Sequence, residues 1–292
     1  MSDFKIKFRG VRGSYPTPKK NFLNFGGNTS CVEIQAGENL IILDCGYGII
    51  DLGYDLSLRN KPANALILLS HTHMDHIQGL PFFKPIYDGS SNINIFGPAP
   101  GEKNLKEFLD LALFGSVFPL NLQDIKSNIN VQNFSEEFII ILGQKGEIKL
   151  ELAKNLNSIK LNYDDILISS YKNTSHPKEG SLAIKIRYKE KTVVYATDVE
   201  SSDCDNNYIE FLRNADLLIH DAQYTSEEHK QGYGHSTFEC AVENSNKAGA
   251  KELFFFHYDP SYDDEKLKSL EDKYQKLSSN YKFAKENLEI IL

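Results

Sequence analysis

Three histidines and one aspartate stand close together in this chain, in the segment Ser70–His76, which reads SHTHMDH. Imidazole nitrogens and carboxylate oxygens are good ligands for Zn²⁺, and also for Mn²⁺ and Fe²⁺. His71 and His73 alternate along an extended loop, so both side chains can face one ion. Asp75 and His76 stand at the turn into a helix and can reach a second ion. The spacing therefore favours a metal centre over a polar loop that is merely rich in histidine.

The elements around this motif alternate between strand and helix patterns. The apolar runs that are typical of strands are Phe4–Phe8, Cys31–Ile34, Leu40–Leu43, Leu66–Leu69, Ile93–Phe96, Ile166–Tyr171, Leu182–Tyr188, Thr192–Tyr195, Leu217–Ile219 and Leu253–Phe256. The helical patterns are Ile49–Leu56, Ile77–Phe83, Glu102–Phe114, Asn207–Arg213, Thr237–Ala248 and Asp264–Leu277. This order predicts an α/β fold in which two sheets pack face to face with helices outside, an αββα sandwich.

One domain over residues 1–292 is the simpler organisation, because the chain shows no repeat and no low-complexity linker. The least regular part, at about 88–165, lies between the two clusters of candidate ligands. We interpret it as an insertion, which either shapes the substrate site or a subunit contact or only extends the scaffold.

The composition bounds the partners and the compartment. The net charge of −8 disfavours non-specific binding to nucleic acid and to anionic membranes. The segment Met1–Gly10 lacks the apolar core of an export signal, and the longest apolar runs, such as Phe138–Leu142, are too short to span a bilayer. Four cysteines without a CxxC pair are then typical of reduced thiols. We expect a cytoplasmic protein with no membrane segment.

The strand, the HTHMDH motif and the following helix together resemble the signature of the metallo-β-lactamase superfamily. The rest of that signature is a distant histidine, an aspartate that closes a strand and a histidine after a late strand, and His176, Asp198 and His257 stand in such positions. The resemblance implies two divalent ions, with Zn²⁺ expected and Mn²⁺ or Fe²⁺ as alternatives. It assigns seven ligands, in two groups that share Asp198 as a bridge: His71, His73 and His176, and Asp75, His76 and His257.

Two features near this ligand set refine the expected chemistry. Position 198 is an aspartate where true β-lactamases of this fold carry cysteine, which disfavours lactam hydrolysis. Two ions about 3.5–4 Å apart can hold a bridging hydroxide that attacks an ester. Asp44, at the end of the run Leu40–Leu43, either orients a ligand histidine or caps the helix Ile49–Leu56.

Two further pairs of motifs resemble the phosphodiesterase branch of this superfamily, which includes tRNase Z and cyclic nucleotide phosphodiesterases. They are RGVRGS (9–14) with FGGNTSC (25–31), and HDAQY (220–224) with GHST (234–237). The resemblance covers nearly the whole chain apart from residues 88–165. It implies a metal-dependent hydrolase in which Asp75 assists the attacking water. His235, oriented by Asp221, would donate a proton or a hydrogen bond to the phosphate or the leaving oxygen. Because tRNase Z usually carries Glu at this position, the shorter Asp221 must still reach His235.

The distance between His176 and Asp198 bears on the substrate. The tRNase Z enzymes usually carry a long tRNA-gripping arm between the equivalent positions, and only 21 residues separate them here. The acidic net charge also opposes many phosphate contacts. We therefore expect a small phosphodiester, a 3′,5′-cyclic nucleotide such as cAMP or cGMP, with nucleic acid less favoured as a partner.

Four alternatives remain beside this expectation. Two of them are hydrolases: a tRNase Z-like 3′ endoribonuclease, and a thioesterase of the glyoxalase II type, a class that lacks the HDAQY and GHST pair. A diiron redox protein is disfavoured because no flavodoxin-like segment is present, and a non-catalytic scaffold is disfavoured because none of the seven ligands is lost. Fold alone does not choose among them. The apolar part of residues 88–165 also leaves room for a homodimer.

Overall fold

The computed structural model describes residues 4–59, 61–177, 179–200 and 204–292. Its strands, in chain order, are β1 (Phe4–Gly10), β2 (Cys31–Ala36), β3 (Asn39–Leu43), β4 (Asn64–Leu68), β5 (Asn92–Gly97), β6 (Asn128–Asn133), β7 (Phe138–Leu142), β8 (Ile148–Leu152), β9 (Ile166–Asn173), β10 (Ser181–Tyr188), β11 (Lys191–Ala196), β12 (Leu217–Asp221), β13 (Glu252–Phe256), β14 (Tyr281–Phe283) and β15 (Glu289–Ile291). Its α-helices are α1 (Gly48–Leu58), α2 (Met74–Ile77), α3 (Leu105–Leu113), α4 (Asn206–Leu212), α5 (Phe238–Ala248) and α6 (Asp264–Leu277). None of these helices is both long and apolar enough to cross a bilayer.

The strands form two sheets. One sheet has the order β15-β1-β2-β3-β4-β5-β6, and the other has the order β14-β13-β12-β11-β10-β9-β7-β8. Alternate residues of a strand face opposite sides of a sheet, and β3 shows the consequence. Ile41 and Leu43 belong to a core that includes residues of both sheets, whereas Leu40 and Ile42 belong to a second core with α1 and α3. Together with the contacts of α5 to β12 and β13, this confirms the αββα sandwich.

The parallel parts of the two sheets carry the candidate site. Strands β3 to β6 are parallel in the first sheet, and strands β11 to β14 are parallel in the second. Ligands bind beyond the carboxyl ends of such strands in open α/β sheets. Asp44 follows β3, the HTHMDH segment (71–76) follows β4, Asp198 follows β11 and His257 follows β13. The fold therefore delivers side chains from both sheets to one place.

The predicted strands are confirmed, and one predicted helix is wrong. The pattern Ile77–Phe83 forms no helix of its own, since α2 ends at Ile77 and Leu80–Phe82 is a separate 3₁₀ turn. Pro81 cannot donate the hydrogen bond that a continuing helix would require. Gly79 also packs so tightly that a Cβ there would lie 2.2 Å from the carbonyl oxygen of Gly46. The packing of this glycine fixes the chain direction just after the metal motif.

Residues 88–165 are built into both sheets. They supply β5 and β6 to the edge of the first sheet and β7 and β8 to the edge of the second. Phe114 and Phe134 of this segment are buried in the two cores. Phe108 is partly buried against the second core and also borders a cavity beside the candidate site.

Candidate metal centre and active site

The structure brings six of the seven predicted ligands together in two groups of three, and the seventh, Asp198, lies between them. In each group the candidate ligand atoms lie within 4.8 Å of one another, the groups being His71, His73 and His176, and Asp75, His76 and His257. In the first group, Nε2 of His176 lies 2.9 Å from Nδ1 of His73. In the second, Nε2 of His76 lies 3.2 Å from Nε2 of His257. These nitrogen atoms converge on common points, as the ligands of an ion do.

Asp198 lies between the two groups and turns one carboxylate oxygen to each. Its Oδ1 is 3.7 Å from Nε2 of His71 and 3.5 Å from Nε2 of His176. Its Oδ2 is 3.2 Å from Nε2 of His76 and 3.4 Å from Nε2 of His257. This arrangement fits a carboxylate that bridges two ions.

The chemistry of these residues fits divalent cations. Nε2 of His71 is buried and has no hydrogen-bond partner among the described residues, which is costly unless another ligand satisfies it. Burial, together with neighbouring imidazoles, lowers the pKa of His73 to about 4 and holds the pKa of His71 well below its ordinary value. Both rings are therefore neutral at physiological pH, which is the form that binds a metal.

Backbone conformation directs several of these side chains inward. Asp44, Asp198 and His257 adopt positive φ angles of 60°, 54° and 63° just after their strands end. This left-handed region is uncommon outside glycine and is often found at functional sites. The turn at each strand end aims the next polar side chain at the centre.

Asp44 supports the centre from behind. Its carboxylate accepts hydrogen bonds from Nδ1 of His76 at 2.8 Å, from both the amide and the hydroxyl of Ser70, and from the hydroxyl of Tyr195 at 2.8 Å. The bond to Nδ1 leaves Nε2 of His76 free to face the centre. Asp44 thus orients a histidine, and the alternative helix-capping role is wrong because the N-terminal cap of α1 is Tyr47.

His235 and Asp221 form a buried pair beside the centre. Nδ1 of His235 lies 2.9 Å from Oδ2 of Asp221, so the shorter acid does reach the histidine. Burial lowers the pKa of His235, but the charge of Asp221, helped by Asp198 and Asp75, outweighs it and raises the pKa to about 9. The geometry also allows His235 to join metal-ligating groups with His176 and Asp198 or with Asp221 and His257.

Gly234 fixes the loop that carries His235. Its φ is 82°, and a Cβ there would lie 2.2 Å from Nδ1 of His176. Its carbonyl oxygen lies 2.9 Å from the same nitrogen, in position to accept a hydrogen bond from it. The GHST motif therefore begins with a residue that both permits the turn and orients a ligand histidine. Thr237 caps α5 through its hydroxyl, as its position before the helix predicts.

Sequence reasoning missed three residues that shape the site. The backbone amide of Ser14 donates to Oδ2 of Asp75 at 2.7 Å. The carboxylate of Glu200 accepts from the amides of Gly232 and Gly234, which holds the His235 loop. Tyr195 bonds Asp44 as described above. Ser14 stands in a motif that the sequence singles out, but no pattern in the sequence marks Glu200 or Tyr195.

Two separate cavities border the cluster. One, of about 680 Å³, reaches it at His235 and is lined otherwise by Ser14, Tyr15, Gln223, Tyr224, Glu228, Lys230, Tyr233, Asp259, Pro260, Ser261 and Tyr262. The other, of about 500 Å³, reaches it at His71 and His73 and is largely apolar, with Pro98, Pro100, Phe108 and Pro177 in its wall. The two share no lining residue, so a ligand at the cluster has room on two sides.

Comparisons with known proteins agree with this geometry. A family model described as "Beta-lactamase superfamily domain" matches residues 39–258. The chain is 26% identical to the ribonuclease Z of Pyrococcus furiosus over 278 residues, which cover 88% of this chain and 87% of that protein. Two solved structures share the fold. The metallo-beta-lactamase fold protein YhfI from Bacillus subtilis has a TM-score of 0.70 at 19% identity, over 99% of each chain. The short form of human tRNase Z has a TM-score of 0.61 at 18% identity, over 98% of each chain.

Proposed function

Because the chain belongs to the beta-lactamase superfamily and is a metal-dependent hydrolase of its phosphodiesterase branch, we propose that its substrate is RNA, cleaved in the manner of a ribonuclease Z. The observation that carries this proposal is the His235–Asp221 pair beside two groups of ligands that share Asp198. Cleavage of a phosphodiester needs the negative charge on the non-bridging phosphoryl oxygens stabilised and a poor leaving oxygen protonated. The leaving group of a thioester is a thiolate, which needs no such proton donor. A thioesterase of the glyoxalase II type is therefore disfavoured.

We assign to the seven ligands the roles that the family resemblance implies. His71, His73 and His176 would hold one divalent ion, Asp75, His76 and His257 the other, and Asp198 would bridge them. Bound there, such ions supply a nucleophile at neutral pH and stabilise the charge on the phosphoryl oxygens. Five imidazoles and two carboxylates suit Zn²⁺ first and Mn²⁺ or Fe²⁺ next.

Three side chains of the protein handle protons around this centre. Asp75, held by the Ser14 amide, would orient the attacking water while it binds an ion. Asp221 would keep His235 protonated and fix its Nδ1 as a donor, which leaves the Nε2 proton for the leaving oxygen. His235 would then act as the general acid.

RNA ranks above the cyclic nucleotide that the sequence alone favours. Curated relatives named ribonuclease Z match along nearly their whole length, which supports a nucleic-acid substrate. The two cavities support it too, because a linear diester extends to both sides of its phosphate, whereas a cyclic mononucleotide carries one base. The predicted order of the two substrates is therefore reversed.

A 3′,5′-cyclic nucleotide stays as the second candidate because of one observation. Within the described residues between His176 and Asp198, β10 and β11 are joined by a turn of only two residues, Lys189 and Glu190. No tRNA-gripping arm protrudes there. An enzyme without such an arm must hold tRNA by another surface or accept a smaller substrate.

The test is direct competition with Mn²⁺ or Zn²⁺ present. A pre-tRNA with a 3′ trailer, cAMP, cGMP and a thioester are each offered to the protein and to His235→Ala. We expect trailer removal to be fastest and to depend on His235. Turnover of cAMP or cGMP without RNA cleavage would replace RNA by the second candidate, and thioester turnover that is indifferent to His235→Ala would exclude both. The cytoplasmic location, the homodimer and the insertion at 88–165 stay predictions.

A further inference from the structure

The cavity at His235 has a wall that is rich in tyrosine. Four tyrosines line it: Tyr15, Tyr224, Tyr233 and Tyr262. Tyr224 and Tyr262 are only 4% exposed, and their hydroxyl groups contact Gln223 and Glu228. Tyr15 and Tyr233 are 57% and 60% exposed. The cavity thus has two fixed rings and two rings that are open to a ligand.

Exposed aromatic rings in a concave wall are suited to stacking. Phenol rings bury large apolar area while their hydroxyl groups stay hydrated. Every nucleobase has a π face, so aromatic platforms bind bases with little dependence on sequence. At about 680 Å³ the cavity falls within the range of small-ligand sites, which is about 300–1,000 Å³.

A cation and an unpaired acceptor add polar contacts to this wall. Nζ of Lys230 lies 5.3 Å from the ring centre of Tyr224 and 5.7 Å from that of Tyr233. The Glu228 carboxylate in the same wall is already bonded to Lys266. Gln223 is 3% exposed, and its Oε1 has no hydrogen-bond partner among the described residues. The wall therefore offers a positive charge and an acceptor besides the rings, and the Asp259 carboxylate in the same wall accepts from the amide and hydroxyl of Ser261.

The position of the cavity defines what it holds. His235 is the proposed donor to the leaving oxygen, and it is the residue through which the cavity reaches the cluster. The group attached to the leaving oxygen must therefore extend past His235 into this space. When the bond between phosphorus and the 3′ oxygen breaks, that group is the nucleoside upstream of the scissile phosphate, and the phosphate stays on the downstream nucleotide.

We propose that this cavity is the subsite for the nucleoside on the leaving-oxygen side, with its base stacked on Tyr233 and Tyr15 and Lys230 beside its outer phosphate. The inference rests on the proposed function, since it uses the role of His235. It assigns to the described loop at 224–235 a part in substrate recognition in addition to catalysis.

The test uses two short RNAs that differ only in the nucleotide upstream of the scissile phosphate, which is normal in one and abasic in the other. Tyr233→Leu and Tyr15→Leu should lower kcat/KM on the normal RNA by about 5- to 150-fold, mostly through KM, because a stacked base contributes about 1–3 kcal/mol. On the abasic RNA both variants should match the wild type. Tyr233→Phe keeps the ring and should stay near the wild type. Tyr163→Leu, at a tyrosine 67% exposed outside the cavity, should be silent.

Equal losses on both RNAs, or none on either, would overturn the subsite. A second measurement needs no turnover: equilibrium dialysis compares adenosine 5′-monophosphate with ribose 5-phosphate. If the nucleotide binds more tightly than ribose 5-phosphate and Tyr233→Leu weakens that binding, the subsite is supported even when no RNA is cleaved. The lack of RNA cleavage would then refute only the proposed function. RNA cleavage with identical binding in wild type and Tyr233→Leu refutes only the subsite.

Discussion

Nδ1 of His235 donates to the carboxylate of Asp221 at 2.9 Å, and the pair lies beside two groups of candidate metal ligands. Because Nδ1 is occupied in this way, Nε2 is the ring nitrogen left to face a substrate. The pair thus has the form of a general acid and the residue that orients it. His235 also lies near enough to Asp198 to act as a metal ligand instead. The roles of general acid and metal ligand predict different effects of removing the imidazole.

Removing the imidazole separates these roles. His235→Ala should lower turnover by roughly 10²- to 10⁴-fold, the range for loss of a general acid, while metal content stays near the wild-type value. Asp75→Ala should lose metal and turnover together, because Asp75 belongs to a ligand group. Steady-state kinetics and elemental analysis on the same preparations measure both. Loss of one metal equivalent in His235→Ala would assign His235 to the metal.

The charge of Asp221 can be tested separately from the imidazole of His235. Asp221→Asn keeps the shape but removes the charge that stabilises protonated His235, so turnover should fall while metal content stays constant. Asp221→Glu restores the charge and should retain much of the activity. If Asn and Glu at this position behave alike, the charge of Asp221 does not act through His235.

Asp198 should control metal binding at both positions, because one of its oxygens faces each ligand group. We expect about two divalent ions per chain, since seven ligands exceed the four of a single structural zinc site. Asp198→Ala should lower the content of both ions. Elemental analysis after purification without chelator decides the matter, and a wild-type content below one ion per chain would refute the dinuclear centre.

Asp44, which accepts the Nδ1 proton of His76, should affect the metal affinity of the centre without taking part in the reaction. Asp44→Ala removes the acceptor of the Nδ1 proton, and loss of such a partner typically weakens metal binding by about 10- to 100-fold. Tyr195→Phe removes only one of the donors to Asp44 and should cost about 1 kcal/mol of stability. Competitive chelator titration and urea unfolding measure the two effects. An Asp44→Ala variant with wild-type metal affinity would show that His76 needs no such partner.

The parts of this site that the sequence predicts are those with a local pattern or a fixed order along the chain. His71, His73, Asp75 and His76 share one short segment, so their convergence follows from local geometry. His176, Asp198 and His257 are recognisable only by their order after that segment and by the strands that precede them. Strand and helix periods likewise predict most of the elements, because each period reflects burial on one face.

What sequence cannot supply is contact between residues far apart in the chain. Glu200 binds the amides of Gly232 and Gly234, and Tyr195 bonds Asp44, through pairings that no spacing marks. Arg12 is fully buried and donates to the carbonyl oxygens of Gly26 and Tyr262, contacts that its RGVRGS motif does not reveal. These bonds depend on which strands become neighbours, and strand order is a property of the whole fold.

Glu286 gives the stability of the protein an unusual dependence on pH. It is partly buried, its carboxylate accepts from the backbone amide of Asn28 at 2.6 Å, and burial raises its pKa from 4.5 to about 7. The folded state therefore holds this proton more tightly than the unfolded chain does. Between pH about 4.5 and about 7, unfolding releases the proton, so this group's contribution to stability falls as the pH rises and is constant above that window.

Glu286→Gln removes the titration and keeps an acceptor for Asn28. The free energy of unfolding of the wild type should fall relative to this variant by about 1–3 kcal/mol as the pH rises from 4.5 to 7.5. Urea unfolding across that range, with both proteins loaded with metal, measures the difference and cancels the contribution of the metal centre. Glu289→Gln, at an exposed acid three residues away, is the matched control and should run parallel to the wild type. If the free energy of unfolding of Glu286→Gln also runs parallel to that of the wild type across this pH range, Glu286 binds its proton equally in the folded and unfolded states. A proton bound equally in both states adds no pH dependence to stability.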